Sequence, residues 1–244
     1  MSNATPIPVT IRPEEAAHFG KLADDWWDPT GSSAMLHRLN PVRLRFIRSA
    51  IDAHFATDPR TMRPLTGRRA IDIGCGAGLL TEPLARMGAT VTGVDAAHDN
   101  IRVAAAHATA SKLPIDYRCG DIADMALSGF DLVTSMEVIE HVADKASFVA
   151  ALANALAENA LMILSTPNRT PASRLLLIEA AERIGMVPRG THHWSDFITP
   201  VELHDLLATA GLTMGHPQGI AWTPNAGLHL SDNLALNYIV TVTR

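Results

Sequence analysis

Cysteine is nearly missing from the 244 residues: only Cys75 and Cys119 occur, and they form no CxxC pair. Two thiols make no disulfide framework, and a chain of this length can bury a large core without one. A reducing, cytoplasmic setting is therefore expected. An excess of positive charge is also missing, since 20 Lys and Arg face 25 Asp and Glu for a net charge of -5. That balance argues against a broadly basic surface, so no nucleic-acid partner is expected. No stretch approaches the ~20 apolar residues needed to span a bilayer. Met1–Thr10 has neither the basic start and apolar run of a secretory signal nor the arginine richness of a transit peptide. There are no repeats and no low-complexity segments. What remains, at 47% hydrophobic and 18% charged, is a globular profile.

The chain changes rhythm about a quarter of the way along. After Pro13, residues Phe19, Leu22, Ala23, Trp26 and Trp27 recur at helical spacing until Asp28-Pro29 stops the run. A second helix is expected after Asn40-Pro41, with Val42, Leu44, Phe46, Ile47 and Ile51 as its apolar set. Pro59, Pro64 and Gly67 mark a connector. It divides an N-terminal helical cap (1–66) from a main domain (67–244), the two forming one compact unit. Strands are predicted at Ala70–Ile73, Thr90–Asp95, Ile115–Arg118, Phe130–Ser135 and Leu161–Ser165. Helices are predicted between them at Leu79–Met87, Asn100–Ala110 and Lys145–Ala157. Such alternation implies an α/β fold with a doubly wound, mostly parallel sheet. An excursion at about 167–198 holds a predicted helix, Ser173–Ile184. A helix at Pro200–Thr209, a strand near Leu212–His216 and a last strand at Asn237–Thr243 follow. These two late strands, joined without a helix, suggest an antiparallel edge hairpin.

The most informative segment is Ala70-Ile71-Asp72-Ile73-Gly74-Cys75-Gly76-Ala77-Gly78, a strand that ends in a glycine-rich turn with a helix opening behind it. Glycines there permit positive φ and close approach of a ligand to the backbone. The crevice at the carboxyl ends of the first strands is where such sheets bind ligands. A dinucleotide site wants a glycine three positions after Gly76, and Leu79 stands there instead. Asp72 before the loop is unfavourable beside phosphates but suits a ligand carrying an ammonium and a sulfonium. Asp95 ends the next strand, 21 residues beyond Gly74, close to the offset at which a carboxylate meets a ribose diol. The plainer reading is a solvated strand-end aspartate. Asp121, in Cys119-Gly120-Asp121, is placed to take an adenine amino group, or simply forms a turn after Gly120.

Asp72-x-Gly74-x-Gly76-x-Gly78 followed by Asp95 resembles the class I methyltransferases, which use S-adenosylmethionine. Further segments narrow the resemblance: Trp26-Trp27-Asp28, His37-Arg38-Leu39-Asn40-Pro41-Val42-Arg43, Glu137-Val138-Ile139-Glu140-His141-Val142, Ser165-Thr166-Pro167-Asn168-Arg169 and Gly190-Thr191-His192. Together they are similar to the ubiquinone-biosynthesis O-methyltransferases, from about Phe19 to Tyr238. The resemblance implies a seven-stranded, Rossmann-like sheet with an antiparallel edge strand. It also implies that Arg43, Gly74, Asp95 and Met136 contact the methyl donor, with Gly76, Gly78, Asp72 and Asp121 in support. Acceptors would be polyprenylated phenols and quinols, 2-polyprenyl-6-hydroxyphenol and 3-demethylubiquinol. One departure is Glu158-Asn159-Ala160, where many relatives carry proline and glycine; it alters a turn.

On the acceptor side, Glu137, Glu140 and His141 follow the Phe130–Ser135 strand. In a helix they would share one face at i, i+3 and i+4. Two carboxylates and an imidazole suit a divalent cation such as Mg2+, and the resemblance implies metal binding at these positions. His141 as a direct base, or the two glutamates as simple helix-starting charges, are the alternatives. His192 is expected to line the acceptor pocket. Leu176, Leu177, Ala180, Ala181 and Ile184 would form the apolar face of the excursion helix, which either packs on its own domain or contacts a membrane surface through 173–189. Association with other ubiquinone-synthesis enzymes is a further expectation. The rival readings are a methyltransferase for a soluble catechol, a nicotinamide-dependent oxidoreductase, and a non-catalytic donor-binding regulator.

Overall fold

The computed structural model describes residues 10, 17, 20, 23–31, 33–180 and 193–244. Its helices and strands run α1 (Ala34–Phe55), β1 (Arg69–Ile73), α2 (Thr81–Arg86), β2 (Thr90–Asp95), α3 (His98–Ala110), β3 (Ile115–Cys119), β4 (Phe130–Met136), α4 (Lys145–Ala155), β5 (Leu156–Pro167), α5 (Pro200–Thr209), β6 (Thr213–Met214), β7 (Gly219–Thr223), β8 (Gly227–Ser231) and β9 (Asn237–Thr243). Seven strands form one sheet in the order β3-β2-β1-β4-β5-β9-β6, and β7 with β8 forms a separate ribbon. Strands β1 to β5 pair in parallel, while β9 runs against both β5 and β6. The order reverses between β1 and β4, which makes the crevice at their carboxyl ends the expected ligand site.

Alternation along the strands builds two cores, because successive side chains leave a strand on opposite faces. Ile71, Val133, Met162 and Leu164 point to the face covered by Phe148 and Leu152 of α4 and Leu203 and Leu207 of α5. Ala70, Leu132, Leu161 and Ile163 point to the other face, against Ile47 and Ile51 of α1 and Leu84 of α2. Ile47 and Ile51 are fully buried, and each such side chain contributes about 1.5–3 kcal/mol of transfer free energy. Thus α1, from the N-terminal quarter, is one of the layers that cover the sheet. Among the described residues, no helix is long and apolar enough to cross a membrane.

Several local expectations needed correction. Helix α1 begins at Ala34 and runs through Pro41, although proline removes a hydrogen bond and crowds the carbonyl four residues earlier. Tertiary bonds hold the turns before it: His37 Nε2 lies 2.8 Å from the Trp26 carbonyl, and Asn40 Nδ2 donates to the Leu79 carbonyl at 2.8 Å. Trp26 and Trp27 follow a short 3-10 turn, Ala23–Asp25, and lie outside any helix. Helix α4 stops at Ala155, and β5 starts there with an irregularity: Phe130 pairs with Leu156, but Leu132 pairs with Leu161. The extra residues turn through Asn159 at φ 56, the left-handed conformation that glycine or asparagine supplies most easily.

At the far edge, the reversed strand β9 sits one place in from the rim, covered by the two-residue β6. The two late strands are antiparallel as expected, but the β7–β8 hairpin is inserted between them in the chain. Pro224-Asn225 between the alternating Ile220/Trp222 and Leu228/Leu230 was the turn signal for that hairpin. The helix expected at Ser173–Ile184 is helical over its described part, with an α-helical turn, Pro171–Ser173, running into a π-helical segment, Arg174–Ala180. With that wider winding, Leu175 and Leu176 are exposed. Ala181 and Ile184 of the expected apolar face, and Phe19 and Leu22 of the first helix, lie outside the described residues.

Candidate active site

The glycine loop leaves β1 at the switch point. Gly74, Gly76 and Gly78 have φ of 72°, 53° and 92°. A Cβ at these positions would meet Val138 Cγ2 at 2.2 Å, Trp26 Cζ3 at 2.3 Å and the Tyr117 hydroxyl at 2.4 Å. Glycine is therefore required twice over, by backbone conformation and by the chain's own side chains pressing on the loop. Sequence reasoning attributed that space to a ligand. Trp27 adds an anchor: its Nε1 donates to the Ala77 carbonyl at 3.0 Å, and its ring stacks on His107 at 3.4 Å. His107 itself lies with Nδ1 2.5 Å from the buried Glu82 carboxylate.

Three aspartates frame the loop, each in a different way. Asp95 Oδ2 accepts from the Gly76 N–H at 2.8 Å, and Oδ1 accepts from Ala97 N–H at 2.9 Å and Asn100 Nδ2 at 3.1 Å. Burial pushes its carboxyl up against these bonds. A carboxylate has about four acceptor positions, so one is left for a ligand. Asp72 is buried and accepts from the Thr81 and Thr134 hydroxyls at 2.7 and 2.8 Å, tying α2 and β4 to β1. Burial pushes its carboxyl up to about 6. Asp121, expected at the adenine, is taken up by Thr10, whose N–H and hydroxyl each reach it at 2.7 Å, and it caps the Ile122–Asp124 turn through Ala123 N–H. The Thr10 carbonyl in turn accepts from Ala143 N–H at 2.7 Å.

Beyond β4 the chain makes a turn rather than the helix that would have put Glu137, Glu140 and His141 on one face. Glu137 follows Met136 with φ 56, and His141 N–H donates to the Val138 carbonyl at 2.8 Å. Glu137 consequently leaves the face it would have shared with Glu140 and His141. Its Oε1 accepts from Arg43 Nη2 at 2.7 Å and from the Ser165 hydroxyl at 2.8 Å. Glu140 is buried; Oε2 accepts from the Thr166 hydroxyl at 2.9 Å, and Oε1 has no hydrogen-bond partner. That free oxygen lies 3.8 Å from His141 Nε2. Burial pushes the Glu140 carboxyl up to about 7, against the pull of His141, and the charge of Glu137 pushes it the same way as burial. Among the described residues no three His, Cys, Asp or Glu side chains gather to hold a metal ion. Glu140 and His141 stay together while Glu137 parts from them, and His192 lies outside the described residues.

A glycine loop bonded to a strand-end aspartate, beside a buried acid and imidazole, sits at the switch point of a seven-stranded sheet. A methyltransferase domain family model matches residues 36–216. A ubiquinone biosynthesis O-methyltransferase of Methylobacterium sp. (strain 4-46) is 44% identical over 99% of this chain and 98% of the relative. The chain belongs to the ubiquinone biosynthesis O-methyltransferases. Another member, from Azorhizobium caulinodans, is 48% identical over 90% of the chain and 88% of its own length. The mitochondrial enzyme of Arabidopsis thaliana is 43% identical, across 100% of this chain and 77% of that protein. The fold is shared with magnesium protoporphyrin IX methyltransferase of Synechocystis PCC 6803, solved with bound SAH, at a TM-score of 0.66 and 19% identity over 94% of this chain and 95% of that one. The O-methyltransferase site also contains parts that residue-by-residue reading overlooked. Ser165 and Thr166 hold the two glutamates, and Trp26 presses on Gly76. All three lie in segments that carried the resemblance, so position was legible where role was not.

Proposed function

We propose that this chain transfers a methyl group from S-adenosylmethionine to phenolic hydroxyls of ubiquinone precursors, 2-polyprenyl-6-hydroxyphenol and 3-demethylubiquinol. The observation that carries the reading is the meeting, at the carboxyl ends of β1 and β4, of the Asp95-bonded glycine loop with the buried Glu140–His141 pair. Arg43, Gly74, Asp95 and Met136 hold the donor, with Asp95 on the ribose. Asp72, Asp121, Gly76 and Gly78 support it by fixing the loop and its neighbours. Residues 1–66 act as a cap on the donor side of the 67–244 domain, within one unit.

The reaction is an in-line displacement. The acceptor oxygen bonds to the methyl carbon as the carbon–sulfur bond breaks, the sulfonium becomes a thioether, and the phenolic proton leaves. A phenol with a pKa near 10 is a poor nucleophile until that proton is gone. Glu140, with its free oxygen and a carboxyl near neutrality, takes the proton, and His141 beside it steadies the charge. The same free oxygen and the imidazole fit two positions of a divalent cation's shell, and a cation such as Mg2+ there would supply positive charge to the acceptor oxygen. Glu137, committed to Arg43, stands outside that set. His192 is assigned to the acceptor pocket through its Gly190-Thr191-His192 motif.

The test is methyl transfer by the purified chain to a prenylated demethylubiquinol and to a tail-free catechol. Transfer to the former alone supports the lipid acceptor, and equal transfer to both favours a small acceptor. Donor binding without transfer to either would make the chain a donor-binding regulator. Full turnover in metal-free buffer would remove the cation. We also place the protein at the inner face of the membrane, in weak contact through 173–189 and in association with other enzymes of the pathway. A polyprenyl tail keeps the substrate in the bilayer, and Leu175 and Leu176 are 57% and 49% exposed. Replacing both with glutamate is expected to lower liposome binding; unchanged binding would end that idea.

A further inference from the structure

We infer that Asn168 selects acceptors with two neighbouring hydroxyls, its side-chain oxygen accepting the proton of the hydroxyl that is not methylated. Asn168 directly follows β5 and is 7% exposed. Its Oδ1 is buried and has no hydrogen-bond partner, a rare condition for a buried carbonyl. The other polar atoms of the residue all have partners. Its N–H donates to the Leu236 carbonyl at 2.9 Å, and its carbonyl accepts from Thr170 N–H at 3.0 Å and the Ser173 hydroxyl at 2.5 Å. Nδ2 donates to the Leu234 carbonyl at 2.8 Å. That last bond fixes which way the amide faces, because turning it over would set Oδ1 against another carbonyl. The open atom is therefore an acceptor, and it calls for a donor.

Strand register sets Asn168 beside Glu140. Thr166 pairs with Tyr238 and Pro167 with Asn237 of β9, and the Asn168 N–H on Leu236 continues that ladder. Side chains alternate along an extended strand, so Thr166 and Asn168 leave the same face, ~7 Å apart. The Thr166 hydroxyl donates to Glu140 Oε2 at 2.9 Å, while Glu140 Oε1 has no partner. The end of β5 and the turn after the adjacent β4 thus bring two unfilled acceptors to one face. Both acceptor molecules proposed above carry two hydroxyls on adjacent ring carbons, about one hydrogen-bond length apart. The reacting hydroxyl gives its proton to Glu140, and its neighbour donates to Asn168. The second bond fixes the ring and decides which of the two oxygens faces the methyl group. A phenol with a single hydroxyl leaves Asn168 buried and unpaired, and a site with such an unpaired group rejects the incomplete ligand.

The inference rests on the proposed methyl transfer to a phenol beside Glu140, and the experiment separates the two. The kcat/KM of O-methylation is measured for a prenylated catechol and for two analogues, with the neighbouring hydroxyl replaced by an amino group or by hydrogen. The proteins are the parent and Asn168→Ala, checked for folding by circular dichroism and for S-adenosylhomocysteine affinity by calorimetry. The parent should use the amino analogue, which still donates, within about threefold of the catechol. It should use the hydrogen analogue about tenfold less well, the worth of one hydrogen bond. Asn168→Ala should lower the catechol about tenfold and the hydrogen analogue far less, so that the preference largely disappears while S-adenosylhomocysteine affinity stays within about twofold. If Asn168→Ala does not fold, the parent series decides: an amino analogue as poor as the hydrogen one would overturn the inference. Equal loss on all three acceptors in Asn168→Ala would overturn it by showing that the side chain only braces the end of β5. A raised cation requirement in that variant would overturn it by making Oδ1 a cation ligand. Turnover by the parent without preference for the neighbouring hydroxyl would sink the inference alone. No transfer by the parent to any of the three would remove the proposed reaction, and the inference with it.

Discussion

The two sides of the cleft differ in how far the chain satisfies its own carboxylates. On the donor side, Asp72, Asp95 and Asp121 have both carboxylate oxygens engaged by the chain, and Val138, Trp26 and Tyr117 fill the space at the three glycines. In the turn after β4, by contrast, Glu140 has one oxygen, Oε1, buried without a partner; other buried polar atoms without one, among them Trp26 Nε1, Asn100 Oδ1, Tyr117 Oη, Arg43 Nε and Ser135 Oγ, fall on both sides. Buried polar groups are normally paired, so unpaired ones gather where something else is meant to bind or react. Among the carboxylates, then, those of the donor side are a filled holder, and Glu140 on the acceptor wall keeps one oxygen open.

The largest effects should come from breaking the holder. Gly76→Ala would set a methyl group 2.3 Å from the Trp26 ring at φ 53, so the ring must shift and the backbone is strained as well. S-adenosylhomocysteine binding should fall by more than roughly 100-fold. Adding Trp26→Ala should recover part of the loss, because it removes the clash but leaves the backbone strain. Full recovery would mean that the positive φ costs nothing. Next comes the reactive wall. Glu140→Gln keeps the shape and an acceptor for the Thr166 hydroxyl but cannot take a proton. We expect kcat to fall about 100-fold, with S-adenosylhomocysteine affinity within twofold of the parent. An equal loss in affinity would erase the distinction between the two sides.

A subtler change sharpens the holder. Asp95→Asn should weaken S-adenosylhomocysteine and methylthioadenosine alike, about tenfold, since both carry the ribose. If Asp95→Asn spared methylthioadenosine, the ribose assignment would be wrong.

The same division explains what could be read from sequence. Strands β1 to β4, the glycine loop and Asp95 were legible because short-range pattern decides them: apolar runs, a strand-end acid, glycines at fixed offsets. The course of α1 through Pro41 was hidden because its early turns depend on Trp26 and Leu79, distant in sequence. Asn159 was visible as an unusual turn residue, but the register shift it serves is a property of the pairing with β4. Glu137 misled most. Spacing of i, i+3 and i+4 groups three side chains only if the backbone is helical, and one left-handed residue sends the first carboxylate to Arg43. Glu140 and His141, neighbours in the chain, survived that turn.

Asp72 offers the smallest effect and the finest test of whether the holder is fully satisfied. Its carboxyl is raised from 3.8 to about 6 in the fold, chiefly by burial and despite two hydroxyl donors. A folded pKa above the unfolded one means that the native state binds more protons between about pH 4 and 6. Stability contributed by this group is therefore present below pH 4, declines through about 6, and stays lower above it. Two pKa units correspond to at most about 3 kcal/mol. Asp72→Asn has no proton to lose, and its amide can accept from one threonine hydroxyl and donate to the other. The melting temperature of the variant relative to the parent should therefore be higher at pH 7.5 than at pH 4.5, by several degrees, with donor binding changed less than about threefold. A difference independent of pH would mean that Thr81 and Thr134 already stabilise the ionised carboxylate completely. In that case the contrast between a satisfied holder and an unsatisfied wall would be sharper than burial alone implies.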